Sequence, residues 1–266
     1  MRFPNALLAV SMLVPVWGCS YGTMLDKMVP KEEVEFAKRV LGDLKAGHFD
    51  EVESRLSPEL RRPDTRARLQ EAASQFPSGE PTSVVLIGSH VFQAPGRWSA
   101  NLSFQYGFER AWIVANVAVV RKEGGLVVSG VHVNRTPDSL ERIHAFALKS
   151  KGAVHSLFLA GAILVPSFVL VVLAMGLRTR DLRRKWLWAS FILFGVAGVT
   201  INWTTGQIAL QPLSVHLFGA GAVRSSPYSP WLVTVSFPLG AVVFLARRRR
   251  ARNATPAAAL PTTPPN

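Results

Sequence analysis

A stretch of 26 uncharged residues separates Lys151 from Arg178, and it restricts the fold of this 266-residue chain more than any other feature. Its central run, LFLAGAILVPSFVLVVLAMGL, is long enough for a helix that crosses a bilayer core of about 30 Å. Pro166 lies within the run, and membrane helices tolerate proline. The chain is therefore expected to be a membrane protein.

Two further apolar runs suggest two further crossings. The run from Trp186 to Trp203 has aromatic residues at both ends, as at membrane interfaces, and the run from Trp231 to Ala246 stops at a row of arginines. The piece from Ile208 to Val223 is ambiguous, because sixteen helical residues span only about 24 Å and polar residues interrupt it. We therefore predict a membrane region, 153–252, with three transmembrane α-helices at about 153–177, 186–203 and 229–246.

The basic residues predict the orientation of these helices. The formal net charge is +13, but residues 26–151 contain 18 basic and 16 acidic residues, so the excess lies elsewhere. Most of it lies in two clusters that each follow an apolar run, an arrangement typical of cytoplasmic loops and not of a nucleic-acid surface. These topology determinants are Arg178, Arg180, Arg183, Arg184 and Lys185, and Arg247, Arg248, Arg249, Arg250 and Arg252.

With three crossings, both clusters lie in the cytoplasm and the weakly charged N-terminal half lies in the periplasm, which makes this a multi-pass protein of the bacterial inner membrane. Residues 253–266, rich in Pro, Ala and Thr, form a disordered cytoplasmic tail.

The N-terminus has the layout of an export signal. Residues 1–19 combine Arg2, an apolar run from Ala6 to Trp17 and a small residue before Cys19, the only cysteine. Cys19 is a lipidation candidate, because the arrangement resembles a bacterial lipobox. A cleaved signal peptide and an uncleaved signal anchor with a buried thiol are the alternatives. All three export the following residues, which lack a second cysteine and cannot form an intramolecular disulfide.

Residues 27–149 read as an exported α+β domain. Helical spacing of Val34, Ala37, Val40, Leu41 and Leu44 predicts a long amphipathic helix that stops at Gly47, and two more helices follow before Pro77. After Pro81 the period changes to two, with four strands predicted at about 82–92, 97–108, 110–121 and 126–134. The fold class is thus α+β, with three N-terminal helices packed on a curved four-stranded antiparallel sheet, followed by the three transmembrane helices.

The phrase LKAGHFDEVESRLSPEL, the closing strand GLVVSGVHV and the order of elements make this domain similar to the nuclear-transport-factor-two-like (cystatin-like) superfamily. The resemblance implies an α+β domain in which the sheet curls around the long first helix. Its members include isomerases, dehydratases and binding modules, so it does not select a function.

Three residues are candidates for a pocket inside the sheet: His90, Tyr106 and His132, with Asp64 or Glu109 as partners. By strand alternation His90 shares a face with Leu86 and Phe92, and His132 shares one with Leu126 and Val128, although a histidine on an apolar face is more often part of the core. No catalytic residue is assigned. No metal or cofactor is expected, because the histidines lack ligand spacing and no phosphate-binding glycine motif occurs.

Two functions remain open. The first is a binding or assembly module that contacts membrane lipids. Its transmembrane helices bind either an envelope protein or a second copy of the chain, and no nucleic-acid partner is expected. The alternative is a pocket enzyme or small-molecule receptor that uses the concavity of the domain. A transporter is disfavoured, since the apolar runs contain no buried charge.

Overall fold

A computed structural model describes residues 31–149, 151–179 and 184–254, so Cys19, Arg180, Arg183 and residues 255–266 of the predicted tail lie outside the described residues. The chain divides into two compact units, Met1–Pro137 and Asp138–Asn266, which are called unit 1 and unit 2.

Unit 1 begins with helices that pack through one apolar face. Helix α1 is Lys31–Ala46, and its buried face carries the residues that the helical spacing predicts. It ends where Gly47 adopts a φ of +79°, a conformation that glycine allows without strain. Helix α2 is Phe49–Arg55, a 3-10 turn covers Pro58–Leu60, and helix α3 is Thr65–Ser74.

Four antiparallel strands in sequential order complete unit 1: β1 (Ser83–Ala94), β2 (Arg97–Gly107), β3 (Trp112–Lys122) and β4 (Gly125–Thr136). The face that we call the helix face carries Ala100, Leu102, Phe104 and Tyr106 on β2, which are buried in one cluster with the apolar residues of α1. The other side is called the outer face. Register shifts between Leu86 and Gly88 on β1, and opposite Ala118 and Val119 on β4, mark β-bulges that exchange the two faces along each edge strand.

Unit 2 combines four helices with a second antiparallel sheet. The helices are α4 (Leu140–Ile143), α5 (Ala153–Arg178), α6 (Lys185–Leu193) and α7 (Leu239–Ala254). The strands are β5 (Phe194–Asn202), β6 (Ile208–Leu217), β7 (Ala220–Val223) and β8 (Leu232–Phe237), in the order β6-β5-β8-β7. Helices therefore occur both before and between strands.

The predicted fold class is wrong in this half of the chain, because three C-terminal transmembrane helices are absent from the described residues. The predicted second crossing is divided between α6 and β5, the predicted third between β8 and α7, and the ambiguous piece forms β6 and β7. Nine residues of α6 span only about 14 Å. Among the described residues, α5 is the one helix that is long and apolar enough to cross a membrane.

The sequence of the divided runs explains the error. Strand β5, FGVAGVTIN, is rich in glycine and β-branched residues, and β8, LVTVSF, stops directly before Pro238. The β-branched residues favour strands, and glycine and proline disfavour the interior of a helix. Short apolar runs give no periodicity that separates a buried strand from a helix, so length and charge alone misled the prediction.

Candidate functional site

The exposed side of α5 is the most distinctive surface of unit 2. Only 11% of the most apolar 18-residue segment of α5 is buried inside the protein, whereas a core helix of a water-soluble protein would be mostly buried. At 1.5 Å per residue its 26 residues extend about 39 Å. The large exposed apolar residues on it are Val154, Leu157, Ile163, Leu164, Phe168, Leu170, Val171 and Leu177. An apolar surface of this length is typical of a helix in contact with lipid.

The other side of α5 packs through small residues against the rest of unit 2. Gly161 approaches the Val235 side chain of β8, and Gly176 approaches Ile192 of α6 and Phe244 of α7. Val169 and Val172 are buried between these contacts. These contacts fix the rotation of α5 within unit 2, so the same apolar residues stay exposed.

Aromatic residues cluster towards both ends of α5. Near its N-terminus the Trp203 side chain is buried, stacks on Phe146 with a centroid separation of 4.5 Å, and donates through Nε1 to the carbonyl of Ala147 at 2.9 Å. The Lys151 ammonium donates to the Trp203 carbonyl at 2.7 Å. Near the C-terminus of α5, Arg247 lies 5.2 Å from the ring centroid of Trp188. Aromatic residues at both ends of an apolar span are typical of membrane interfaces.

The structure does not bring the three pocket candidates together. His90 pairs across the sheet with Asn101, and His132 pairs with Asn116, whose amide donates to Ser103 Oγ at 2.8 Å. These partners lie on the outer face, and both histidines are exposed. The β-bulges cause this placement, because one extra residue moves every later side chain to the opposite face. The expectation that His90 shares a face with Leu86, and His132 with Val128, is therefore wrong.

Tyr106 does lie on the helix face, at the edge of an open cleft of about 710 Å³. Its ring is 6% exposed and packs edge-on against Phe76, with centroids 5.6 Å apart. Burial raises the pKa of the Tyr106 hydroxyl to about 12, because the phenolate would lose hydration, so the group stays a neutral donor at physiological pH.

Neither predicted acidic partner lines this Tyr106 cleft. Asp64 accepts a hydrogen bond from Arg68 Nε at 2.7 Å, and that guanidinium lowers the pKa of the Asp64 carboxyl. Glu109 is exposed in the turn between β2 and β3. The charged residues of the cleft are instead Lys38, Lys45 and Glu80.

The lysines of the cleft are held by weak ion pairs. Lys45 contacts Glu80 at 2.9 Å, and Lys38 contacts Glu35 at 3.0 Å, with glutamate side chains that are 91% and 63% exposed. Such exposed pairs contribute about 0–1 kcal/mol and exchange readily for another anion. Gly42 of α1 also lines the cleft, and a Cβ there would meet no atom within 4 Å.

The sequence interpretation missed a buried carboxylate in unit 1. The Glu33 side chain is fully buried, and one of its oxygens pairs with Arg121, whereas Oε2 has no hydrogen-bond partner among the described residues. The Arg121 guanidinium also lies 5.3 Å from the ring centroid of Trp98. A signal was present, since Glu33 is four residues before Ala37 and thus on the apolar face of α1.

Comparison of the chain with protein-family models, with curated proteins and with solved structures finds no match. The superfamily resemblance therefore stays a prediction, and the function has to be argued from the residues above. Within residues 31–149, 151–179 and 184–254, no three His, Cys, Asp or Glu side chains are grouped so that they could hold a metal ion.

Proposed function

We propose that this protein is a membrane-anchored binding module, in which unit 2 attaches the chain to the bilayer and unit 1 binds a partner or ligand. The observation that carries the proposal is the apolar face of α5, which is exposed along the whole helix and is bounded by charge only at its ends. Water disfavours such a surface, and acyl chains cover it without cost.

Binding is favoured over catalysis by the interior of unit 1. Leu102, Phe104, Ile113 and Val117 are fully buried beneath the helices, so the sheet encloses a packed core. Both histidines lie on the outer face, away from Tyr106. A general acid or base works best with a pKa near the working pH, whereas the cleft offers Tyr106, whose pKa is raised to about 12, and a Lys45–Glu80 ion pair whose carboxylate is exposed to water.

Charge supports one orientation for the anchor. Arg178 ends α5, and Arg247 to Arg250 lie in the last turns of α7, whereas residues 26–151 are almost neutral. The positive-inside rule then assigns these arginines to the cytoplasm and unit 1 to the periplasm of a bacterial inner membrane.

Lysine substitution of exposed leucines tests the anchor. In Leu164→Lys, a charge at the centre of a lipid-facing helix disfavours insertion by about 2.5–3.5 kcal/mol, so the fraction that floats with membranes after an alkaline wash should fall strongly. Leu177→Lys is the matched control, because its ammonium lies beside Arg178 and reaches the interface.

If α5 instead faced water, both substitutions would change stability by less than about 0.5 kcal/mol and leave the fractionation unchanged. That result would contradict the proposed anchor.

A second candidate, a small-molecule receptor, is favoured by the Tyr106 cleft. Apolar walls with a few polar groups are typical of ligand sites, and its volume is in their usual range. The neutral Tyr106 hydroxyl and the two ammonium groups suit a small aromatic anion.

The fluorine NMR signal of 4-fluorobenzoate should broaden with wild type and Gly42→Ala but not with Gly42→Phe, whose side chain fills the cleft. Equal broadening with all three proteins would exclude the cleft as the site.

A further inference from the structure

Three helices of unit 2 bring basic residues to one end of the unit, which we call the basic end. The contacts of Gly176 with Ile192 and Phe244, and of Arg247 with the Trp188 ring, place the end of α5 beside the start of α6 and the middle of α7. The charged residues within about two turns of these contacts are Arg178, Arg184, Lys185, Arg247, Arg248, Arg249 and Arg250.

Unit 2 supplies almost no negative charge to balance them. After Glu141 the sequence contains a single acidic residue, Asp181, which lies outside the described residues. In unit 1, by contrast, Arg55 pairs with Asp43 and Lys122 pairs with Glu59. Like charges held close together repel, so the basic end requires anions from outside the chain.

Arg248 is a half-buried member of the basic end, and one of its donors lacks an acceptor within the described part of the chain. Its Nη1 atom is buried and has no hydrogen-bond partner among the described residues. A buried donor without an acceptor is unfavourable, and a guanidinium binds phosphate oxygens through paired donors.

The surroundings of the basic end select a lipid as the source of that phosphate. The apolar face of α5 stops at Arg178, and Trp186 and Leu187, next to Lys185, are 83% and 62% exposed. An acyl chain would cover the apolar residues while its headgroup reaches the cations, which is the usual order at a membrane interface.

We infer that the basic end is a binding site for the phosphate of anionic phospholipids, with Arg248 as its central donor. The inference rests on the membrane anchoring proposed above, and it adds a ligand class to the anchor.

Lipid retention by the purified full-length chain tests this site. Native mass spectrometry would compare phosphatidylglycerol with phosphatidylcholine at equal concentration, and glycerol phosphate would serve as a free-phosphate competitor. Wild type should retain phosphatidylglycerol preferentially, and Arg248→Gln should weaken retention about fivefold, as expected for one basic residue at an anionic surface. Arg224→Gln is the control, because Arg224 stacks 5.0 Å over Trp231, in the cluster beside the N-terminal half of α5.

Three outcomes would overturn the inference: equal retention of the two lipids, an equal loss in Arg224→Gln, or displacement of the lipid by glycerol phosphate, which would indicate a site for free phosphate. A nucleic acid that bound as tightly as phosphatidylglycerol would also contradict it. Membrane flotation separates the two proposals, since a chain that floats but shows no lipid preference contradicts only the headgroup site.

Discussion

At the scale of single residues, the buried carboxylate of Glu33 depends on one partner. Arg121 supplies its only ion pair shorter than 4.0 Å among the described residues and lies over Trp98 as well. Arg121→Met should therefore destabilise the protein by about 1–3 kcal/mol, because it leaves a buried acceptor unpaired. Adding Glu33→Met should recover most of that loss, since both polar groups are then replaced together.

The measurement is the midpoint of chemical denaturation for the two single variants and the double variant. Arg142→Ala provides the control, because it removes an exposed pair with Asp138 at 3.5 Å and should cost less than about 0.5 kcal/mol. Additive losses in the double variant would show that Glu33 does not depend on Arg121.

Sequence reasoning at this scale located residues on faces only where alternation was regular. Tyr106 lies on an uninterrupted part of β2, and its helix-face position follows from period two. His90 and His132 follow β-bulges next to Gly88 and Gly130, and the prediction did not treat these strand glycines as bulge signals, so the predicted faces of both histidines were inverted. The partner of the buried Glu33 carboxylate, Arg121, lies 88 residues away in the sequence, so local spacing could not predict the pair.

At the scale of elements, two glycines in helices have opposite roles. Gly42 lies within α1 beside open space, whereas a Cβ at Gly240 of α7 would overlap the Phe191 carbonyl of α6. Gly42→Ala should therefore stabilise the protein by about 0.5–1 kcal/mol through helix propensity. Gly240→Ala should destabilise it by about 1–3 kcal/mol, because α6 and α7 must separate.

Thermal denaturation of the two alanine variants checks this contrast in one experiment. If the Gly240→Ala variant were as stable as the Gly42→Ala variant, that result would contradict the close packing of α7 against α6 at Gly240.

Elements were predictable where the pattern was long. The 16 residues of α1 repeat the helical period over four turns, and the strands of unit 1 alternate over about ten residues, so their type could be predicted. In unit 2, Gly198, Thr200 and Thr234 lie in strands that form parts of the apolar runs. Hydrophobicity alone cannot distinguish such a buried strand from a helix. Tertiary pairing between β5, β6 and β8 decides their structure.

At the scale of the whole molecule, charge and hydrophobicity divide the chain into two chemically different units. Unit 1 has paired charges and a buried core, whereas unit 2 has an exposed apolar face and, at Arg248, a buried guanidinium nitrogen without a hydrogen-bond partner among the described residues. The sequence could predict this division from composition, but the predicted number of crossings was wrong because the runs at 186–203 and 229–246 were each taken as one helix. Among the described residues, α5 is therefore the one candidate for a spanning segment.

Cysteine labelling in intact spheroplasts tests most directly whether lipid covers α5 while unit 1 lies outside. Ser78→Cys places a thiol at an exposed position of unit 1. Leu164→Cys places one on the apolar face of α5, at a residue whose surface is 66% exposed when no lipid is present. The unsubstituted chain, with Cys19 alone, gives the background. A membrane-impermeant maleimide should label the Ser78→Cys variant and leave the Leu164→Cys variant at background. Equal labelling of both variants, or labelling of the Ser78→Cys variant only after lysis, would contradict the account.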